Sequence, residues 1–398
     1  MGSSREESRK ARSVSGVTGG WRAHRSSWAK VYTATLILTL CVSLSGCWDE
    51  QKIEKQISVA ALGIDTHKSG LQVTIQVPIP VKIAGSGGNG GGGGQEAVQF
   101  FVGNGKDLDD ALRSIQKQLD ESLTLGHLRL IVFSQEIAER GLAPVIDGLR
   151  RNHEIRRELW PIVSKGKASD LLHANPKLEP IPAVYLMDMF ESHSQRGSIF
   201  DRKLIHLLTD LSDHSKQPML NYIAHTDKAV NWAGTALFNK THMVSSLNEV
   251  ESWLLMQLGD GNRGSHKSVP CPNDCKGIIT VDPRNVRRKV TFDEAAFKFR
   301  IAIRIDGVIE EKTCALDLAQ QKHIALVEKK LKQQYEAGAT RLVRKLQQQH
   351  IDVLKLGLML RAFYPDVWER IDWQKAFPKA AIDVAYTVRI RGRGAEYN

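Results

Sequence analysis

Hydrophobic positions along this chain change their period several times, and each change predicts an element. Residues 57–64 and 71–81 read as strands, and within "LQVTIQVPIPV" apolar and polar side chains alternate over the first half. "AVQFFVG", which follows a glycine run at 85–94, reads as another strand. In "DLDDALRSIQKQLD" the spacing turns helical, with Leu108, Ala111, Leu112, Ile115 and Leu119 on one face. Acidic residues in its first turn suit the positive end of a helix dipole. Residues 127–133, "HLRLIVF", form the continuous apolar run of a buried strand. Ser134 stands where it caps a helix that Gly141 interrupts, and Pro144 falls in the first turn of the next. "LWPIV" gives one more strand. Pro176, Pro180 and Pro182 then make a rigid connector into a short helix.

Beyond residue 198 the pattern starts afresh. "DRKLIHLLTDLSD" has helical spacing, "GTALFN" and "HMVSSLN" follow, and "EVESWLLMQL" is a second helix before a polar, glycine-rich break at 259–268. From residue 295, "AAFKFRIAIRID" has a clean period of two, which puts Phe297, Phe299, Ile301, Ile303 and Ile305 on one face. A long amphipathic helix comes next, its stripe made by Ile324, Val327, Leu331, Tyr335, Ala339, Leu342 and Leu346. "IDVAYTVRIRGRG" alternates again near the end. The predicted fold class is α+β: an N-terminal α/β domain at 47–198, a small middle domain at 199–283, and a C-terminal domain at 284–398. In the last, a long helix laid over an antiparallel sheet is the simplest packing.

The first 46 residues stand apart. Residues 1–30 are polar, serine-rich and basic, residues 31–44 are nearly all apolar, and Leu44-Ser45-Gly46-Cys47 follows. A spanning helix needs about 20 apolar residues; this run has fourteen, the length of a signal-peptide core behind a positive start. The small pair before a cysteine resembles the lipobox of bacterial lipoproteins. On that reading the chain is cut between Gly46 and Cys47, and Cys47 carries a diacylglyceryl group as the new N-terminus. Two acyl chains anchor stably where one is marginal. The net charge is +11, and about half of that excess sits in this leader. The mild basicity left over suits a protein beside an anionic membrane.

Chemistry-bearing motifs are few. Cys271 and Cys275 are spaced C-x₃-C, with Cys314 and His266 elsewhere. Export favours a Cys271–Cys275 disulfide, with unpaired thiols or a metal site as alternatives. His127, His206 and His242 lie in or beside apolar segments, as packed or surface histidines do. Glu154, Glu158, Glu179 and Asp188 can be paired as acid and base on paper, as in any chain this rich in carboxylates. No catalytic signature is present. The glycine run precedes a strand, and Gly105-Lys106 lacks the rest of a phosphate loop, so no cofactor is expected. Basic "RNVRRKV" at 284–290 has no interleaved aromatics for nucleic acid and suits a solvated edge strand or a lipid head-group contact.

Several blocks in order resemble the C-subunit lipoproteins of spore germinant receptors. They are Cys47-Trp48-Asp49 with "VAALGID", then "GHLRLIVFSQEIAERGLAPVIDGLRRNHEIR", "LEPIPAVYL", "GTALF" with the later Glu251, "DVLKLGLMLRAFYPDVWERIDW" and the closing strand. The resemblance implies three mixed α/β domains with mainly antiparallel sheets. It implies a non-catalytic receptor subunit held by acylated Cys47 on the outer face of the spore's inner membrane. It further implies two multi-spanning partner subunits and a role in the response to nutrients. The long leader, the glycine run and the Cys271/Cys275 pair depart from the family. Other readings of a lipid-anchored exported chain are a transporter's substrate-binding lipoprotein and an envelope hydrolase.

Overall fold

The computed structural model describes residues 21–43, 56–79, 97–174, 179, 181–226, 229–272 and 276–392, in two units, Met1–Lys55 and Gln56–Asn398. In the first, helix α1 spans Trp21–Ser43. Thr35 and Thr39 turn their hydroxyls back onto the carbonyls of Val31 and Thr35 at 2.8 Å. Val31, Leu36, Ile37, Leu38 and Leu40 are all more than half exposed. Among the described residues no helix is long and apolar enough to cross a membrane.

The second unit runs through β1 (Gln56–Ser58), β2 (Ala61–His67), β3 (Gly70–Pro78), β4 (Val98–Gly105), α2 (Leu108–Gln116), β5 (Ser122–Thr124) and β6 (Leu130–Ser134). It continues through α3 (Gln135–Arg140), α4 (Ala143–Arg151), β7 (Trp160–Ser164), α5 (Ala168–His173), α6 (Pro182–Gln195) and α7 (Leu204–Ser212). Next come β8 (Met219–Thr226), β9 (Ala229–Asn239), β10 (His242–Leu247), α8 (Glu249–Gly259), β11 (Lys267–Pro270), β12 (Ile278–Asp293) and β13 (Lys298–Lys312). The last elements are α9 (Gln321–Gln348), α10 (Leu356–Phe363), α11 (Pro365–Arg370), α12 (Trp373–Ala376) and β14 (Ala381–Gly392).

Eight strands form one sheet in the order β10-β9-β8-β7-β6-β2-β3-β4. Its centre, β2, β6, β7 and β8, is parallel, and antiparallel hairpins extend it on both sides. Every residue of β6 and β7 is buried, as expected of strands covered on both faces, which have no reason to alternate. One face carries α2, α3, α4 and α7, through residues such as Ile115, Ile137, Ile146 and Leu208. The other carries α5, α6 and α8, and its core, with Phe190 and Leu255, runs without interruption into the second sheet.

Local chemistry sets the boundaries. Asp107 caps α2 by accepting the Asp110 N–H at 2.9 Å, and Ser134 caps α3 through the Ile137 N–H at 3.3 Å. The strand expected over 57–64 divides in two. β1 pairs with β5 and β2 with β3 and β6, so the chain changes partners at Val59 and Ala60. The strand expected from residue 127 begins at Leu130, because the Leu128 N–H closes a turn onto Leu125.

The domain boundary expected at 198/199 has no counterpart in the large sheet, since β8 pairs directly with β7. Helix α8 has Leu254, Leu255, Met256 and Leu258 buried together and packs against both sheets. The boundary expected at 284 falls inside β12, at an irregularity between Pro283 and Asn285.

The second sheet has the order β11-β12-β13-β14. It departs from the expected antiparallel sheet at one strand. β14 joins β13 in parallel, because the α9–α12 crossover returns the chain to the same end. The predicted stripe of α9 is buried, and Tyr335 stacks on Tyr386 with ring centroids 5.1 Å apart. Glu336 and Glu328 of α9 accept the N–H groups of Tyr386 and Ile390 at 3.0 and 2.8 Å. Those carboxylates occupy donors on the outer edge of β14 that an extended chain would otherwise pair with.

Gly234 in "GTALF" explains one sequence block. Its φ is +124°, and a Cβ there would lie 2.0 Å from the Leu247 carbonyl oxygen. Gly234→Ala is expected to cost roughly 2–4 kcal/mol, since strain and a backbone clash act together. Urea unfolding of the two proteins measures it.

Candidate functional site

The polar groups that matter most lie where α8 meets the C-terminal layer. Asn248 and Glu251 form a reciprocal cap on α8, at 2.9 and 3.0 Å. Glu251 also binds Lys345 of α9 at 2.9 Å, and Lys345 donates to the Ser246 carbonyl at 3.1 Å. At the other end of α8, Arg288 of β12 reaches two main-chain acceptors. Its Nε donates to the Leu258 carbonyl and its Nη2 to the Leu354 carbonyl at 2.9 Å. Burial pushes its pKa down, and Asp260 and Asp352 oppose that.

Asp352 is a buried carboxylate. It accepts the N–H groups of Leu356 at 3.2 Å and Gly357 at 2.6 Å and the Trp373 indole at 3.1 Å. Burial raises its pKa despite those donors. Gly357 leaves room for the same indole, for a Cβ there would lie 2.4 Å from Trp373 Nε1. The block "DVLKLGLMLRAFYPDVWERIDW" is therefore one folded knot, with Asp352, Gly357 and Trp373 in mutual contact.

Two clefts flank this joint. The first, about 700 Å³, lies between α4, the turn after α7, the β9–β10 turn and the α11–α12 corner, with Arg150, Asp213, His214 and Trp368 on its walls. A ladder of charge crosses it. Arg202 is 3.3 Å from Asp210, Lys216 is 3.9 Å from both Asp210 and Asp213, and Arg361 of α10 is 2.6 Å from Asp213. Burial raises the Asp210 carboxyl, and the cations beside it only partly offset this. Burial acts the same way on Asp213, yet the Ser215 hydroxyl and N–H, then Arg361 and Lys216, outweigh it and hold that carboxyl below its ordinary 3.8.

The second cleft, about 800 Å³, is lined by Trp232, Trp253, His193, Arg196 and Arg263, with Glu249 and Glu310 also on its walls. The two indoles lie 6.2 Å apart, and their N–H groups donate to Asn221 Oδ1 and the Ser198 carbonyl at 3.1 and 3.0 Å. Burial lowers the His193 pKa, helped by the charge of Arg196. Both clefts present fixed charges and hydrogen-bonding groups to a ligand or partner. Among the described residues no group of three or more His, Cys, Asp or Glu is arranged to hold a metal ion.

The residues singled out from the sequence are scattered. Gly46 and Cys47 lie outside the described residues, as does Cys275. Cys271 is bonded to Cys314, 43 positions away, which corrects the expected Cys271–Cys275 pair. Cys271 directly follows β11 and Cys314 follows β13, so the bond ties the two sides of β12's first half, a proximity that spacing along the chain cannot reveal. His127 and His242 are exposed, and His206 accepts the Lys203 N–H at 3.1 Å at the start of α7. Glu154 accepts from the Leu125 N–H and the Thr124 hydroxyl; Glu158 and Asp188 are exposed. Sequence reasoning missed the structural roles of the half-buried Arg288 and the buried Asp352. The only available signal was a lone Arg on the inward parity of β12.

Two measurements test these contacts. In Asp213→Asn the lost ladder should cost about 1–2 kcal/mol at neutral pH. A carboxyl held low in the folded state stabilises above its unfolded pKa and stops doing so as pH falls through its folded value. The gap between the two proteins should thus close below about pH 4. Non-reducing peptide mapping should recover Cys271 joined to Cys314, and a Cys271–Cys275 peptide would contradict this pairing.

Comparison with known proteins covers nearly all of the second unit. The sequence model described as "Spore germination protein N-terminal domain" matches residues 49–225, and "Spore germination B3/ GerAC like, C-terminal" matches 233–394. Spore germination protein KC of Bacillus subtilis (strain 168) is 24% identical over 93% of this chain and 97% of its own. Spore germination protein GerQC of Bacillus cereus is 23% identical over 90% and 98%. The crystal structure of the GerBC protein superposes with a TM-score of 0.51 at 15% identity, covering 83% of this chain and 96% of that one.

Proposed function

Since this chain belongs to the spore germination B3/GerAC-like family, we propose that it is the lipid-anchored subunit of a nutrient germinant receptor, required for the germination response through assembly and signalling and not through catalysis. The observation that carries the reading is the match of both family domains, in order, over residues 49–225 and 233–394.

Anchoring rests on the sequence around Cys47. Helix α1 has a run of exposed apolar side chains, as suits a segment meant for a lipid environment. Cleavage before Cys47 and acylation of its thiol would leave the second unit tethered to the outer face of the spore's inner membrane. The tether confines it beside two multi-spanning subunits of the same receptor. Confinement raises effective concentration, so a modest interface suffices to hold the complex. The two charged clefts are the surfaces best suited to receive those partners.

A detergent pull-down of the tagged protein from spore membranes tests the assembly. Two multi-spanning proteins should co-purify, and Cys47→Ala should release the chain from the membrane fraction and slow germination without lowering its unfolding midpoint. Recovery of the chain alone, or normal germination by Cys47→Ala spores with the protein released, would falsify the tethered-subunit reading.

A further inference from the structure

The second sheet has one face under α9 and one face bare, and the bare face is basic. Register fixes its composition. Across β12, β13 and β14 the outward rows are Asn285–Asp306–Arg389, Arg287–Arg304–Thr387, Lys289–Ala302–Ala385 and Thr291–Arg300–Asp383. The inward parity of β13 and β14 carries Phe299, Ile301, Ile303, Ile305, Tyr386 and Val388, all buried. Neighbouring strands lie about 4.8 Å apart and successive outward residues about 7 Å apart. The basic groups therefore form a close lattice.

Its charge is not balanced from within. Asp306 is taken by Arg391 at 3.1 Å and Arg304 at 3.8 Å, and Asp383 by Lys298 at 2.6 Å. Arg287, Lys289, Arg300 and Arg389 are exposed, and among the described residues none of them makes an ion pair. Arg287 stands directly opposite Arg304, a like-charge cross-strand pair that destabilises a sheet. An arrangement that costs stability in the free protein is relieved by an anionic surface laid against it.

We propose that this face docks on an anionic phospholipid bilayer, its basic side chains taking headgroup phosphates. Ala302, Ala385, Thr291 and Thr387 keep the surface between the charges low, as a planar headgroup layer requires. No aromatic side chain stands among the outward positions, so stacking with nucleic-acid bases has no platform. The proposal rests on the membrane-tethered reading for its setting: an anchored unit would present this face to lipid at high effective concentration.

The test is flotation of the full, unacylated chain with vesicles of phosphatidylcholine alone or with about a third phosphatidylglycerol. The parent should partition more strongly onto the anionic vesicles and lose that preference in high salt. The variant R287Q/K289Q/R300Q/R389Q should lose at least tenfold of its anionic partitioning, at up to about fivefold per neutralised side chain. It should match the parent on phosphatidylcholine, where α1 alone contributes, and keep the parent's thermal transition. Equal binding by parent and variant, or no preference for phosphatidylglycerol, overturns the proposal. So does equally tight, variant-sensitive binding to duplex DNA or polyglutamate. Acyl labelling at Cys47 reports on the tether separately, and a failed label with an intact lipid preference overturns that reading alone.

Discussion

One guanidinium ties three parts of the second unit at a single point. Arg288 leaves β12 on the inward face, crosses the end of α8 and donates to the carbonyls of Leu258 and Leu354. Both acceptors end segments whose own hydrogen bonding has run out, the last turn of α8 and the turn before α10. A helix end buried without donors for its carbonyls is costly, and Arg288 supplies them from a third element. Helix α8 of the large sheet, β12 of the small sheet and the segment before α10 thus meet at a single side chain, beside the continuous core that the two sheets share. A lysine offers one point charge where this site uses two separated donors, so Arg and Lys are not equivalent here.

Around that tie the remaining polar groups are arranged in tension. Asp352 is ionisable and buried, yet three donors converge on it and make the α10 turn a rigid block. Gln257, also buried, accepts from the Tyr386 hydroxyl at 3.2 Å and links α8 to the edge strand of the small sheet. Glu251 performs two tasks, capping its own helix and holding Lys345 of α9. Buried polar networks of this kind specify one packing more than they add stability.

Much of this was legible in the chain. The strand over 71–78, the period-two run from Phe299 to Ile305, the α9 stripe and the Ser134 cap all appear where local chemistry predicts them, because each depends on neighbours within a few residues, whereas Phe297, expected on the same strand, sits in the turn before it with φ +45°. The resemblance blocks were legible as sequence and opaque as physics: Gly234, Glu251, Asp352 and Trp373 each acquire a reason only when a residue distant in sequence arrives beside them. The same limit explains the cystine. Cys275 is four positions from Cys271 and looks like its partner, whereas Cys314 is brought close by the long β12–β13 hairpin. The domain boundary expected at 284 follows a change of pattern, but a strand can change pattern and stay in its sheet, and β12 does so, while residue 199 falls in the link between α6 and α7, which pack on opposite faces of the one large sheet.

The two faces of the small sheet show how far local pattern carries functional meaning. Alternation in "RNVRRKV" assigns parity, and parity separates Arg288 from Arg287 and Lys289 although all three look alike in sequence. The inward arginine is consumed by the fold, its charge screened by carbonyls and by Asp260 and Asp352. The outward pair remains in solvent with β13's arginines beside it and the nearby carboxylates already engaged. Basicity that reads as a single run thus divides into a structural part and a surplus. The surplus is the part available to an anionic partner, and its strength should depend on salt while that of Arg288 should not.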